Sequence, residues 1–175
     1  MVTVAAGAYI ISTAERARYL KKPPVWILGA GEGHDLGIMS QMPSLTSLVA
    51  RDTGPKAFEM AGVTHKDFDL AMIYDSFTYT VLLTLESLGF CGRGESADFV
   101  KDQKTAPGGS FPMNTAGGGL SYTHPGMYGM FLIIEAVRQL RGECGDRQIH
   151  DCKLTFCHGT GGELASGGTV VLARG

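Results

Sequence analysis

The chain has 175 residues, of which 44% are hydrophobic, and its formal net charge is −2. This length and composition are typical of one domain with a packed core, and the near-neutral charge gives no support to nucleic acid or an anionic membrane as a partner. The apolar runs are shorter than the roughly 18 residues that a membrane span needs, and no basic segment with a following apolar region comes after Met1.

The start of the chain predicts two strands separated by a short helix. Val2–Ile11 is mostly apolar and contains β-branched residues, which favours a buried strand. Ser12 and Glu15 have the spacing of a capping box, and the helix that follows them ends before two consecutive prolines. Val25–Leu28 then predicts the second strand.

A glycine-rich run, GAGEGH at 29–34, follows the second predicted strand. It partly matches a dinucleotide-binding loop, but the third glycine of the GxGxxG spacing is missing and no helical pattern begins there. We therefore prefer a turn that ends the strand. The next segment, Asp35–Val49, is rich in Met, Ser and Pro, and predicts an irregular loop that could line a site.

Helix signals follow this loop. Thr53 is placed to cap a helix that closes at Gly62. Thr64 and Asp67 form another capping-box pair, which predicts a single helical turn.

The next predicted strand and helix meet at a short polar motif. Leu70–Tyr74 predicts a short buried strand, and Asp75 or Ser76 is placed to cap a long helix that runs from residue 77 to about residue 90. The segment Arg93–Lys104 is highly charged, so we expect it to be exposed.

The stretch Asn114–Gly142 places three candidate catalytic side chains within seven residues. It opens with three consecutive glycines, where the backbone can approach a neighbour closely, and Tyr122, His124 and Tyr128 come next. A helical pattern follows, and Pro125 suits the first turn of a helix. Since the positive end of a helix dipole favours developing negative charge, this is a suitable place for chemistry on a carbonyl group.

The final part of the chain predicts one amphipathic helix and two strands. The helix has an apolar stripe at three- and four-residue steps, with Glu135, Arg138 and Gln139 away from it. Lys153–Cys157 and Thr169–Ala173 predict the last strands, joined by a glycine-rich loop. Strands that alternate with helices predict an α/β fold with helices on both faces of the sheet.

Two of these motifs resemble the thiolase superfamily. The glycine run followed by His-Pro-Gly and the helix ending EAVRQLRGE resembles its histidine motif, and CHGTGG at 157–162 with GGTVVL at 167–172 resembles its last catalytic loop and final strand. The His-Gly of that loop is most similar to the sterol-carrier-protein-type, lipid-transfer-like branch. The resemblance implies that residues 1–175 form a C-terminal thiolase-like half with a mixed five-stranded sheet, and that the N-terminal half of the fold lies outside this chain.

The resemblance also implies roles for individual residues. In thiolases the histidine at the position of His124 activates a nucleophilic cysteine in the other half of the fold. His158 stands where many thiolases have a cysteine that acts as acid and base. Tyr74 replaces the first residue of a motif that holds a water or the thioester oxygen, and Tyr122 replaces a small residue. The glycines of both loops are predicted to contact the substrate: Gly118, Gly119, Gly159 and Gly161.

Each of these positions also has a purely structural interpretation. A single histidine is often a hydrogen-bonded structural group, and Tyr74 or Tyr79 could be a packing residue. Cys144, Cys152 and Cys157 do not have the spacing of a zinc site, so we predict no metal. Without secretory features, the four cysteines are typical of reduced thiols in a cytoplasmic protein.

Two histidines and two or three tyrosines favour cleavage of a carbon–carbon bond. Acyl transfer needs a cysteine that holds the acyl group, and no cysteine here has the expected setting. Retro-aldol cleavage of a β-hydroxyacyl thioester instead needs a base for the hydroxyl proton and donors for the enolate oxygen. A tyrosine can be that base where its surroundings lower its pKa from about 10. Tyr122 is our first candidate and Tyr128 the second, whereas Tyr74 would orient the thioester.

The tyrosine-rich pattern resembles the thiolase-like aldolases of steroid side-chain degradation, which release a ketone and a short acyl-CoA. It implies an acyl-CoA substrate without a further cofactor, a homodimer, and an OB-fold partner that belongs to a hydratase subunit. Two alternatives stay open. The chain could belong to a thiolase or acyl-CoA acetyltransferase whose cysteine lies in another segment, or it could be a non-catalytic module that binds acyl-CoA or lipid.

Overall fold

The computed structural model describes residues 4–35, 38–122, 124 and 126–175. At its centre is a mixed sheet with the strand order β1-β4-β3-β2. Strand β4 is antiparallel to both β1 and β3, whereas β2 is parallel to β3. The strands are β1 (Val25–His34), β2 (Leu70–Ile73), β3 (Leu154–Gly161) and β4 (Ser166–Arg174).

Helices cover both faces of this sheet, which confirms the predicted α/β architecture. The helices are α1 (Ala14–Ala17), α2 (Ala50–Ala61), α3 (Thr78–Leu88), α4 (Ser96–Phe99), α5 (Gly118–Tyr122) and α6 (Gly129–Leu140). Helix α2 packs on β1 and β4, and α6 packs on β2 and β3. Within the described ranges, no helix is long and apolar enough to cross a membrane.

Successive side chains of β2 lie on opposite faces of the sheet and belong to two different core clusters. Ala71 and Ile73 lie in a cluster with side chains of α2 and α3, including Phe58, whereas Leu70 and Met72 pack with side chains of α6. All four β2 residues are buried, which is typical of a strand covered on both faces. The predicted strand at Leu70–Tyr74 is therefore confirmed apart from its last residue.

The sheet has four strands rather than the five that we expected. Residues 4–11 are exposed and lie in no strand of the described chain, so the strand predicted at Val2–Ile11 is wrong there. Ile10 is 92% exposed, so its side chain is not part of a buried sheet face in the described structure. At the other edge of the sheet, Met113 forms only an isolated bridge with Ala71.

The amide side chain of Asn114 takes over part of the pairing at this edge. Its Oδ1 accepts from the backbone N–H of Ile73 at 2.9 Å, and its Nδ2 donates to the Ile73 carbonyl at 2.8 Å. The end of β2 is thus hydrogen-bonded by a side chain where a fifth strand would supply its backbone. This fixes the start of the Asn114–Gly142 stretch beside β2.

The glycine run at 29–34 is the interior of β1, so the turn predicted there is wrong. Gly29, Gly31 and Gly33 alternate along the strand and lie under α2. A methyl group at Gly29 would lie 2.1 Å from the carbonyl oxygen of Ala57, and one at Gly31 would lie 2.4 Å from that of Thr53. Helix α2 can approach this closely because the three positions carry no side chain.

Thr53 is not a helix cap, contrary to the prediction. Helix α2 begins at Ala50, and Thr53 is fully buried inside it. Its hydroxyl is hydrogen-bonded to Thr169 on the sheet rather than to its own helix. The predicted end is confirmed, because Gly62 closes the helix with a φ of +68°.

One of three further predicted helix caps is correct, and two are wrong. Thr64 and Asp67 form the expected capping box around a short 3-10 turn. Before α1, however, Thr13 rather than Ser12 accepts the cap hydrogen bond, from the N–H of Arg16. Before α3, neither Asp75 nor Ser76 caps the helix, since Asp75 is used elsewhere.

Two polar residues of α6 that lie off its apolar stripe are buried and anchor neighbouring loops. Glu135 accepts two hydrogen bonds from Arg147 and one from Thr115. Gln139 donates to Thr115 and accepts from the N–H of Ile149. Burial opposes ionisation of Glu135, but these donors outweigh it and hold its pKa below the usual value. The network ties the segments on either side of α6 to that helix.

Replacing Gly29 by alanine should lower the free energy of unfolding by about 1–3 kcal/mol, because the new methyl group overpacks the contact with α2. Gly168→Ala is the control on the neighbouring strand, since a methyl group there meets no atom closer than 3.9 Å. That variant should change stability by less than about 0.5 kcal/mol. Urea unfolding measures both values, and equal stabilities of the two variants would contradict this packing argument.

Candidate active site

A cleft of about 770 Å³ opens beyond the carboxyl ends of β2 and β3. This is the edge at which α/β sheets commonly bind ligands. Tyr74 and Tyr128 lie on one wall, and Gly159 and Gly161 on another. The other walls are mainly apolar side chains from the irregular loop, the two helix starts and the turn between β3 and β4: Met39, Met42, Leu45, Leu48, Phe77, Met127 and Leu164.

Three aromatic rings form a stack beside the cleft, with Tyr74 in the middle. The Tyr74 ring centroid is 5.4 Å from that of Tyr128 and 6.0 Å from that of His124, and the planes are nearly parallel. Tyr128 is buried, Tyr74 is half-buried and His124 is exposed. The structure therefore brings together three of the residues predicted for the site.

Tyr74 keeps its hydroxyl proton in this arrangement. Burial, followed by the nearby carboxylate of Asp75, raises its pKa above the ordinary value of a phenol. Its hydroxyl consequently stays protonated at neutral pH. The backbone N–H of Tyr74 donates to the carbonyl of His158 at 2.9 Å, so the ends of β2 and β3 are joined at the cleft.

His158 is fully buried within β3, directly before the cleft residue Gly159. Its Nδ1 lies 2.8 Å from the hydroxyl of Thr169, and its Nε2 has no hydrogen-bond partner within the described chain. Burial lowers the pKa of His158 to about 4. The imidazole is therefore neutral at pH 7 and carries its proton on one of the two nitrogens.

Asp75 holds the glycine loop that leads to His124. Its carboxylate accepts from the backbone N–H groups of Gly119 at 2.8 Å and Leu120 at 3.1 Å. Gly118 has a φ of +72°, and a methyl group there would lie 2.1 Å from Asp75 Oδ2. Gly118 and Gly119 thus lie against this carboxylate rather than on the cleft wall, and their predicted contact with substrate stays a prediction.

Two further tyrosines belong to the predicted site or its surroundings. Tyr122 is the last residue of α5, and its side chain lies outside the described part of the structure. Pro125 lies outside the described residues as well, and the helix predicted to start there begins at Gly129. Tyr79 lines the cleft and donates to the carbonyl of Leu45 at 3.1 Å.

The cysteines lie away from the cleft. Cys144, Cys152 and Cys157 are buried, and desolvation raises the pKa of each thiol, to about 11 for Cys144 and about 12 for Cys152. These thiols stay protonated and are poor nucleophiles. Among the residues that the structure describes, no three His, Cys, Asp or Glu side chains are grouped to hold a metal ion.

The sequence indicated some parts of this cleft and missed others. The Met-rich loop at 35–49 does line it, as predicted. The hydrogen bonds that join Thr53 to Thr169 and Thr169 to His158 were missed, because the three residues lie on different elements and no short motif links them. The hydrophobic turn residue Leu164 was also missed, since its φ of +72° is unusual for a residue with a side chain.

Comparison with known proteins identifies the family to which this chain belongs. A family model described as thiolase C-terminal domain-like matches residues 31–174. The chain belongs to the thiolase superfamily. It is 39% identical over 145 residues to the 17-hydroxy-3-oxo-4-pregnene-20-carboxyl-CoA lyase of Mycobacterium tuberculosis, a match that covers 80% of this chain and 37% of that protein.

Two further relatives support the thiolase-like assignment. The steroid side-chain-cleaving aldolase of Thermomonospora curvata is 39% identical over 140 residues, which cover 77% of this chain and 35% of that protein. The solved structure of an Ltp2-ChsH2(DUF35) aldolase superposes with a TM-score of 0.81 at 34% identity, covering 92% of this chain and 42% of its own. The chain thus spans about two fifths of the length of these relatives.

The depressed pKa of His158 makes the stability of this thiolase-like domain sensitive to acid. In the unfolded chain a histidine has a pKa of about 6.5, so below that pH the unfolded state binds a proton that native His158 does not. Stability should therefore fall as the pH decreases from about 6.5 towards the native pKa of about 4. We predict that His158→Gln loses less stability between pH 7 and pH 5 than the wild type.

Urea unfolding at the two pH values measures this difference. His150→Gln is the control, because it makes the same substitution at an exposed histidine and leaves the burial of His158 unchanged. An identical pH dependence in His158→Gln and the wild type would show that His158 is not held neutral by burial.

Proposed function

We propose that this chain contributes the C-terminal part of an active site that cleaves a β-hydroxyacyl-CoA by a retro-aldol reaction. The observation that carries the proposal is the Tyr74–Tyr128 pair at the cleft, with His124 stacked on Tyr74 and the His158 backbone bonded to that of Tyr74. Two proteins 39% identical to this chain are named a lyase and a side-chain-cleaving aldolase, which supports the same reaction class.

The reaction needs one base, one acid and a set of donors. The base removes the proton of the β-hydroxyl, the carbonyl of the released ketone forms, and the bond between the α and β carbons breaks. Its electron pair moves into the thioester as an enolate, whose α carbon is then protonated. Donors that meet the enolate oxygen stabilise the charge that develops in this step.

The geometry suggests a division of these tasks. A neutral His158 can donate from a ring N–H to the enolate oxygen, and His124 is the second candidate donor. Tyr74, with its raised pKa, suits a donor or acid better than a base. The base is then Tyr128, which lies on the cleft wall, or Tyr122, which precedes His124 by two residues.

The walls of the cleft favour a bulky apolar acyl group. Three of the lining side chains are methionines, which adapt their shape to irregular apolar surfaces. The volume of about 770 Å³ lies within the range of roughly 300–1,000 Å³ for sites that bury a small ligand. Together with the names of the relatives, this supports a steroid side chain as the acyl part of the substrate.

We also propose that other protein segments complete this site. Apolar side chains that would pack against such segments are exposed: Ile10, Ile11, Leu20, Ile27, Leu120 and Met127. The N-terminal half of a thiolase-like fold is the first of these partners. A second subunit is supported by the aldolase structure, whose name joins two components. The homodimer and the cytoplasmic location remain predictions.

Tyrosine-to-phenylalanine variants test the reaction most sharply. In the complete protein, the variant that removes the base, Tyr128→Phe or Tyr122→Phe, should lower kcat for a β-hydroxyacyl-CoA by about 10²–10⁴. Tyr74→Phe should lower it by about 10²–10³, the loss expected for one donor to a developing oxyanion. Tyr19→Phe is the control, because Tyr19 is 85% exposed and far from the cleft residues in sequence.

The products and the response to thiol alkylation distinguish the alternatives. Retro-aldol cleavage releases a ketone and a shortened acyl-CoA without added CoA, and it should survive iodoacetamide. CoA-dependent cleavage that alkylation abolishes, with all three tyrosine variants fully active, would instead establish a thiolase. Tight binding of acyl-CoA without turnover would establish a binding module.

A further inference from the structure

The three alternating glycines of β1 bring α2 unusually close to the sheet. Gly31 lies directly against the backbone of Thr53, whose carbonyl oxygen would be 2.4 Å from a methyl group at that position. This approach places the Thr53 side chain on the sheet side of the helix, where it contacts Thr169 of β4. Thr169 in turn is the β4 residue paired with His158 of β3.

A buried chain of hydrogen bonds results from this arrangement. The hydroxyls of Thr53 and Thr169 are 2.9 Å apart, and the Thr169 hydroxyl is 2.8 Å from Nδ1 of His158. All three side chains are almost completely buried. Gly167 leaves room for the ring, because a methyl group there would lie 3.2 Å from Cε1 of His158.

The direction of this chain follows from counting donors and acceptors. If Thr53 donates to Thr169 and Thr169 donates to Nδ1, both hydroxyl protons are used and only the Nε2–H of His158 is unpaired. In the opposite direction, Nδ1–H donates to Thr169 and Thr169 to Thr53. The Thr53 hydroxyl proton then has no acceptor in the described structure, and the Nε2 lone pair is unpaired as well. Since an unpaired buried polar group is costly, the first direction is favoured.

We propose that Thr169 and Thr53 are positioning residues that hold His158 in the tautomer with its proton on Nε2. A neutral imidazole fixed in this way has an N–H donor, and not a lone pair, at its unpaired nitrogen Nε2. That the acceptor is the thioester enolate oxygen rests on the proposed retro-aldol function, whereas the tautomer itself follows from the hydrogen bonds alone. The low pKa of His158 agrees with a single, neutral tautomer.

Long-range ¹H–¹⁵N spectra of the complete protein labelled at histidine nitrogen test the tautomer directly. The His158 signals are assigned by their loss in His158→Gln. We expect Nε2 to be protonated in the wild type and in Thr169→Ser, which keeps the hydroxyl. Thr169→Val, which removes it, should show a changed or mixed tautomer, and Thr53→Val a smaller change in the same direction.

Turnover of a β-hydroxyacyl-CoA tests the consequence. In Thr169→Val, kcat should fall by about 10- to 100-fold, the range seen when a group that orients a functional histidine is lost, with little change in KM. Thr169→Ser should restore it. The matched control is Thr155→Val, because Thr155 is a buried threonine of the same strand as His158 and its hydroxyl bonds instead to the Leu70 carbonyl.

The outcomes separate this proposal from the proposed function. A wild-type His158 protonated on Nδ1, or an unchanged tautomer in Thr169→Val, would overturn the positioning role whatever the enzyme catalyses. Equal losses of kcat in Thr169→Val and Thr155→Val would reduce the role to general stability and overturn it as well. A wild type without retro-aldol activity would contradict the proposed function, while the spectra would still decide the tautomer.

Discussion

The contact between α2 and the glycines of β1 is the constraint on which the rest of the site depends. Without side chains at Gly29 and Gly31, the helix backbone reaches the strand, and Thr53 meets Thr169 on the sheet. Thr169 then holds the ring of His158 at the cleft end of β3. A packing feature of the edge strand thus determines the state of a buried histidine two strands away.

The other wall of the cleft is fixed in the same indirect way. Asp75 follows β2 and binds the backbone of the glycine loop, and Asn114 completes the edge of β2 with its side chain. Buried Glu135 attaches the beginning of that loop to α6 through Thr115. The stacked rings of Tyr74 and Tyr128 are therefore supported from both ends, by the sheet and by the helix. Such support fixes the position of a tyrosine hydroxyl. A hydroxyl that donates to an oxygen with developing negative charge has to be fixed in this way.

Sequence reasoning succeeded where a feature depends on neighbouring residues and failed where it depends on a distant partner. Gly62 and the Thr64–Asp67 pair act within one turn, so their roles could be predicted. The glycines of β1 were predicted to form a turn because the sequence does not show that α2 packs on them. Thr53 was predicted to cap a helix because the sequence does not show its hydrogen bond to Thr169. Tyr74 and Tyr128 on the cleft wall, and the two histidines next to them in the sequence or in space, were found because their motifs resemble those of a family whose membership is now shown.

We propose that the cleft beyond β2 and β3 binds the thioester of a CoA substrate, with His158 as a donor to its oxygen. A crystal structure of the complete protein with a short acyl-CoA product tests this most directly. We predict that the thioester oxygen lies within about 3.2 Å of Nε2 of His158, with the acyl chain between Tyr74 and the apolar wall of the cleft. A thioester bound outside this cleft, or one whose oxygen faces away from His158, would contradict the account.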